Sequence, residues 1–104
     1  NVSNDAWFGA TSGPWQHLNL SSYRAIEEGL PLVRSTPTGV SGVIDSRGRL
    51  QAGAWMSQGR RGVIDAPLPP PDGPTPFSRL GNLPFAIMLL ISGAMAVMSW
   101  FRRR

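Results

Sequence analysis

The sequence predicts a small layered α/β unit followed by one membrane-spanning helix. Three observations predict this class: residues at helical spacing near the N-terminus, several short apolar runs separated by turn residues, and an uncharged run of 22 residues near the end. A helix that is preceded by a strand and followed by several strands is typical of folds in which helices cover a sheet. With 104 residues, the chain has room for one such unit.

The N-terminal residues predict the end of a strand, then a loop, then a helix. Residues 1–3 have the character of a strand tail, and because the first residue is not Met we expect a fragment or a processed product. Residues 5–14 are rich in Gly, Ser and Thr, as loops are. After Trp15, apolar or small residues recur at spacings of three and four, which predicts a half-buried helix that stops at Gly29. Its members are Leu18, Ser22, Ala25 and Ile26.

The middle of the chain predicts short strands. Three apolar runs cover residues 32–35, 40–45 and 50–56, and residues 46–49 have the composition of a hairpin turn between the last two. Residues 62–65 predict a fourth strand. We expect the first strand of the chain, which ends at residues 1–3, to pair with neighbours upstream in the chain.

The C-terminal third predicts a spacer and a membrane span. Six of the ten prolines lie in residues 67–76, which favours an extended, semi-rigid linker over residues 67–82 between a domain at 1–66 and the span. The uncharged run at 80–101 would reach about 33 Å as a helix, enough for a bilayer core of about 30 Å. We assign the span itself to residues 83–101.

The ends of this span predict its orientation. Trp100 and Phe101 occupy the place of an interfacial aromatic belt, and Arg102, Arg103 and Arg104 follow at once. Because basic residues favour the cytoplasmic side, we expect residues 102–104 in the cytoplasm and residues 1–79 on the opposite side.

Composition excludes several kinds of site. The chain has no Cys, so it holds no disulfide, no thiolate metal site and no Cys nucleophile. The terminal Arg triplet supplies three units of the net charge of +4, and residues 1–79 carry seven Arg against six acidic residues. A basic surface for nucleic acid is therefore not predicted. With His17 as the single histidine, neither a metal site nor a cofactor is predicted.

Three groups of residues are candidates for specific roles. His17, with Asp5 and several serines nearby, fits a hydrogen-bonding residue better than a catalytic base, since no G-x-S-x-G segment is present. Arg24 and Glu27 lie three apart on the helix, as a solvated pair or as a buried fastening to the sheet.

The third group lies at the predicted strand end and consists of Asn4, Asp5, Trp7 and Phe8. Strand ends in layered α/β folds often carry ligands, which makes these residues candidates for a pocket wall. The alternative is that the two aromatic side chains only cap the local core.

Three segments carry a family resemblance: SNDAWFG at residues 3–9, GPWQH at 13–17 and RAIEEGLPLVRSTPTG at 24–39. Together with the Pro-rich stretch, the apolar helix and the Arg tail, they resemble in order and spacing the C-terminal portion of the bacterial apolipoprotein N-acyltransferases, membrane members of the nitrilase superfamily. The likeness covers nearly the whole chain. The family's Thr-Asn-x-Gly turn is replaced here by residues 36–39, TPTG.

The resemblance implies a fold and an activity. The fold is part of a nitrilase-like (carbon–nitrogen hydrolase) α-β-β-α sandwich followed by one transmembrane helix. The activity is transfer of an acyl chain from a phospholipid to the N-terminal cysteine amine of a diacylglyceryl lipoprotein, at the periplasmic face of the inner membrane and without a cofactor.

The resemblance also implies a Glu, Lys and Cys triad, in which the Cys forms a thioester, the Glu acts as general base and the Lys stabilises the oxyanion. This chain has neither Cys nor Lys, so no catalytic residue is assigned in it and we expect it to be inactive alone. Asn4, Asp5, Trp7 and Phe8 are the residues expected nearest the missing site.

A second hypothesis remains from the residues themselves. A small bitopic membrane protein, with an extracytoplasmic module that binds a partner, fits the same order of elements. The coding sequence upstream of Asn1 separates the two hypotheses.

Overall fold

The computed structural model describes residues 1–103 as a short 3₁₀ helix, three strands and three α-helices. The 3₁₀ helix is Ala6–Phe8, and the other elements are α1 (Gly13–Glu28), β1 (Leu32–Arg34), β2 (Ser41–Ile44), β3 (Leu50–Met56), α2 (Pro76–Leu80) and α3 (Leu83–Arg102). Arg104, the last residue of the predicted basic tail, lies outside the described residues.

A proline and a glycine mark the two ends of helix α1. Pro14 occupies the first turn, where a missing N–H costs nothing. Gly29 terminates the helix in the left-handed region, with φ +67°, and its N–H donates to the carbonyl of Ala25. Glycine adopts that conformation without strain, so the predicted stop is confirmed and the helix begins two residues before Trp15.

The sheet is antiparallel, with strand order β1-β2-β3. Val33 lies opposite Val43, and Gly42 opposite Trp55. Val2 forms a parallel bridge with Ser35, so residues 1–3 extend the sheet on the side of β1. The three central strands and the turn between β2 and β3 are confirmed, and with them the predicted α/β class.

The fourth predicted strand, residues 62–65, is wrong. The structure has no strand at these residues, and Ile64 lines a groove with Val33 and Val43. Val63 is 93% exposed. The apolar residues of this segment therefore have no ladder partner within residues 1–103, although their composition suits a strand.

A small core lies between α1 and the sheet. Leu18 and Ala25 of α1 pack against Val40 and Ile44, with two half-buried leucines, Leu32 and Leu50, beside them. Only one face of the sheet is covered by a helix among the described residues. The N-terminal loop, residues 4–12, contacts both α1 and β1 through the side chain of Asp5.

The C-terminal third is more structured than an extended linker. The Pro-rich stretch has no regular structure up to Thr75, whose hydroxyl accepts a hydrogen bond from the N–H of Ser78 and caps α2. Helix α2 therefore lies inside the predicted linker, 67–82. Helix α3 agrees with the predicted span and is, within residues 1–103, the one helix long and apolar enough to cross a membrane, with mean hydropathy 1.9.

Candidate functional site

The carboxylate of Asp5 is the centre of a buried polar cluster at the N-terminal loop. Asp5 is 1% exposed, and its Oδ2 lies 3.0 Å from Nη2 of Arg34. Its Oδ1 accepts a hydrogen bond from the Ser3 hydroxyl at 2.9 Å and lies 2.8 Å from Nδ1 of His17. Three segments, the loop, α1 and β1, thus meet at one carboxylate.

Strand alternation places Arg34 inside the protein. Leu32 and Arg34 share the face of β1 that points toward α1, whereas Val33 between them is 54% exposed. The guanidinium of Arg34 also donates to the Ser21 hydroxyl on α1 at 2.7 Å and to the side chain of Asn1. Its Nε is buried without a hydrogen-bond partner within residues 1–103. Arg34 therefore joins the first residue, the loop and α1.

The contacts of His17 determine its tautomer. A carboxylate only accepts hydrogen bonds, so Nδ1 of His17 carries the proton and donates to Asp5. Nδ1 then has no free lone pair for Arg34, although Nη2 lies 3.1 Å away. No hydroxyl in residues 1–103 hydrogen-bonds to Nε2, so this pair does not form a Ser-His-Asp triad. The prediction that His17 is a hydrogen-bonding residue is confirmed.

The surroundings of Asp5 keep it ionised. Burial alone raises the pKa of its carboxyl, but the hydrogen bonds from His17, Ser3 and Arg34, together with the positive charge of Arg34, outweigh burial and hold the pKa below its ordinary value. The cluster therefore carries a fixed ion pair at neutral pH.

An open depression of about 390 Å³ lies beside this carboxylate. It is lined by Asp5, Ala6, Gly9, Ala10, Thr38, Gln58 and Gly59. Gly39 borders the same carboxylate so closely that a Cβ there would lie 2.1 Å from Oδ2 of Asp5. Because Arg34 holds that carboxylate in place, the turn at 36–39 requires glycine at its last position.

The structure places the four predicted pocket residues differently from one another. Asp5 alone lines the depression, and its carboxylate is an anchor of the loop. Asn4 is exposed, and its side-chain oxygen accepts from the N–H of Ala6, which stabilises the start of the 3₁₀ helix. Phe8 is 41% exposed and packs edge-to-face on the ring of His17.

Trp7 is 90% exposed, so the alternative in which it caps the local core is wrong for this side chain. It projects from the 3₁₀ helix, one residue beyond Ala6 in the wall of the depression. The second candidate group, Arg24 and Glu27, forms an ion pair at 2.9 Å, with the Arg24 side chain 70% exposed. Arg24 therefore lies at the solvent side of α1, whereas the Glu27 side chain is 25% exposed.

Sequence reasoning missed Arg34, although a signal was present. The alternation in β1 puts a charged residue on the same face as Leu32, and a buried charge requires a partner of opposite sign. Asp5 is the partner, 29 residues earlier in the chain. The cluster supplies a fixed acceptor and donors but no nucleophile, and residues 1–103 hold no group of His, Asp and Glu that could bind a metal ion.

Comparison with known proteins places this cluster in a family context. Residues 1–73 match the carbon–nitrogen hydrolase family, and this match includes Asp5, His17 and Arg34. The chain belongs to the carbon–nitrogen hydrolase family. Its loop, α1 and the three-stranded sheet are thus a part of a carbon–nitrogen hydrolase domain, and α2 and α3 follow the matched residues.

Within the carbon–nitrogen hydrolases the chain is similar to proteins named apolipoprotein N-acyltransferase. It is 55% identical to the one from Caulobacter vibrioides over 92% of this chain, and 47% identical to that of Bradyrhizobium diazoefficiens over all of it. The Haemophilus influenzae protein is 42% identical over 99% of the chain. The chain spans about a fifth of the length of these relatives, 18% to 20%.

Proposed function

We propose that this chain is part of an apolipoprotein N-acyltransferase. The observation that carries the proposal is the 42% to 55% identity to three proteins of that name over 92% or more of the chain. In the reaction, an acyl chain passes from a phospholipid to the N-terminal amine of a diacylglyceryl-cysteine lipoprotein through a thioester on a Cys. The phospholipid and the lipoprotein are accordingly the proposed substrates.

The nucleophile of this reaction lies outside the chain in our proposal. The sequence contains neither the Cys that would form the thioester nor the Lys that would stabilise the oxyanion. What the chain contributes is the N-terminal loop, held by the ion pair between Asp5 and Arg34, with Trp7 and Phe8 exposed on it. We propose that this loop forms one wall of the acyl-transfer site.

A chimaera tests this assignment. The chain replaces the segment that it matches in the Caulobacter vibrioides relative, and transfer from phospholipid to a diacylglyceryl-cysteine lipopeptide is measured in detergent. We expect the chimaera to transfer acyl chains, whereas the 104-residue chain alone and the relative without the segment give no turnover above blank.

Two results would contradict the proposal. A chimaera that inserts into membranes at the normal level but transfers nothing would separate this chain from the reaction. Turnover by the chain alone would place the nucleophile inside it.

We also propose that α3 spans the inner membrane, with residues 1–79 in the periplasm and the Arg tail in the cytoplasm. The side chains of α3 are exposed along its whole length, and so large an apolar surface requires a partner other than water. The basic residues after Phe101 support the orientation. We expect a reporter fused after Arg104 in the chimaera to be active only if it is a cytoplasmic type. Activity of a periplasmic reporter there would reverse the assignment.

A further inference from the structure

Helix α2 joins the sheet domain to α3 and leaves two apolar side chains partly exposed within residues 1–103. Phe77 is 38% exposed and Leu80 is 52% exposed. They lie three residues apart, so they share one side of the helix. Arg79 is the one charged residue of α2. An apolar side with a neighbouring cation is the pattern of helices that lie at a membrane surface.

The residues just before α2 are held against the sheet domain by hydrogen bonds. The Thr75 hydroxyl donates to the carbonyl of Glu27, an acceptor that the last turn of α1 leaves without an intrahelical partner. Directly after Pro71, the N–H of Asp72 donates to the carbonyl of Gly29 at 3.0 Å. The carboxylate of Asp72 pairs with Nε of Arg47 at 2.9 Å. The segment 72–75 therefore fastens α2 to the C-terminal end of α1.

Close packing reinforces this attachment. At Gly29 a Cβ would lie 2.1 Å from the carbonyl oxygen of Gly73, so the backbone of the linker touches the backbone of α1 at its end. Helix α2 also contacts α1 directly. Its position relative to the domain is thus set by backbone contacts and a cap.

The other end of α2 is tied to the membrane span. Leu80 precedes Leu83, the first residue of α3, by three residues, which reach at most about 11 Å. The polar layer on each side of a bilayer core is roughly 5 to 8 Å thick. Chain length alone therefore keeps α2 in this layer or against it when α3 spans the bilayer.

We propose that α2 lies in the interfacial layer of the bilayer, with Phe77 and Leu80 inserted among the lipids and Arg79 at the head groups. The occupant of its exposed apolar side is the lipid surface. Because segment 72–75 is fastened to α1, the insertion holds the C-terminal end of α1 toward the membrane. This inference rests on the proposed membrane location of α3.

The absence of Cys makes a direct test possible, since each Cys substitution gives the chain a single thiol for a nitroxide label. Phe77→Cys, Leu80→Cys, Ser78→Cys and Leu90→Cys are each made in the 104-residue chain, which is reconstituted in phosphatidylethanolamine and phosphatidylglycerol vesicles. Power saturation then compares the accessibility of each label to oxygen, which enriches in lipid, with its accessibility to a water-soluble nickel chelate. Ser78 is the matched control, because it lies between the two apolar positions on a different side of the helix.

We expect the ratio of oxygen to nickel accessibility to be severalfold higher at Phe77→Cys and Leu80→Cys than at Ser78→Cys, and highest at Leu90→Cys. Equal ratios at positions 77, 78 and 80, with Leu90→Cys in lipid, would overturn the interfacial position and leave the span intact. Labels at 77 and 80 that neither reagent reaches would show that protein covers α2, which also overturns it. A water-accessible Leu90→Cys label would instead contradict the membrane span itself.

Discussion

Replacing Arg34 by Met is expected to lower the free energy of unfolding by about 3 to 5 kcal/mol, the usual cost of removing one partner of a buried ion pair. Asp5 and Arg34 are each 1% exposed, so water cannot replace the lost guanidinium. Methionine fills much of the same volume, which limits the contribution of an empty cavity. Chemical unfolding of the chain in detergent measures the effect. Near-ultraviolet circular dichroism follows the unfolding, because the rings of Trp15 and Trp55 pack 5.6 Å apart between α1 and β3 and separate when the domain unfolds.

The matched control is Arg24→Met, the same substitution at the solvent side of α1. Its pair with Glu27 leaves the Arg24 side chain 70% exposed, and we expect a change of about 0.3 to 0.5 kcal/mol. If both variants unfold with similar free energies, the Asp5–Arg34 pair is not an anchor of the fold.

Acid distinguishes loss of the charge pair from loss of packing. The pKa of Asp5 is lowered in the folded protein, so the stability that its charge contributes is present above the unfolded value near 4 and is lost as pH falls through the lower folded value. Without Arg34 the same buried carboxyl keeps its hydrogen bonds to Ser3 and His17 but loses the positive charge beside it, which shifts it toward its protonated form. The difference in the free energy of unfolding between wild type and Arg34→Met should therefore become smaller as the pH falls below about 4. If this difference in the free energy of unfolding stays constant down to pH 3, Arg34→Met destabilises the chain through lost packing alone.

Elements that depend on local pattern could be predicted from the sequence. Helical spacing and Gly29 define α1, and the turn residues between Ile44 and Leu50 define the hairpin. The strand predicted at residues 62–65 is wrong because their composition suits a strand, whereas pairing also requires the free edge of a neighbouring strand. A local sequence pattern does not show whether such an edge is present. Helix α2 was missed because the surrounding prolines favour extended chain. Its start depends on the cap at Thr75.

The candidate site was predictable only in part. The aromatic and polar residues of the loop are adjacent in sequence, so Asn4, Asp5, Trp7 and Phe8 stood out as a group. The role of Asp5 depends on Arg34, which the fold of β1 brings to it from 29 residues away. Such a pairing leaves a trace only in strand alternation, where Arg34 shares a face with Leu32. The local pattern therefore predicts the loop as a candidate site, and the structure shows that the Asp5–Arg34 ion pair anchors it.

Trp7→Ala is expected to separate a role in binding from a role in folding. Trp7 is 90% exposed, so its removal should change the free energy of unfolding of the chain by no more than about 0.5 kcal/mol. If the ring contacts the acyl chain, its loss should remove roughly 1.5 to 3 kcal/mol of apolar contact in the chimaera. That corresponds to a drop in kcat/KM of at least about tenfold. Since this contact is made equally in the ground and transition states, the effect should fall on KM more than on kcat.

Val63→Ala is the matched control for exposure, because Val63 is 93% exposed and lies outside the depression and the N-terminal loop. We expect it to leave both stability and acyl transfer unchanged. Two measurements on each variant, kinetics in the chimaera and unfolding of the chain, then assign the role of Trp7. A Trp7→Ala chimaera with full activity would remove this side chain from the proposed pocket wall. A large loss of stability would mean that Trp7 packs against protein in solution, contrary to its exposure on the 3₁₀ helix.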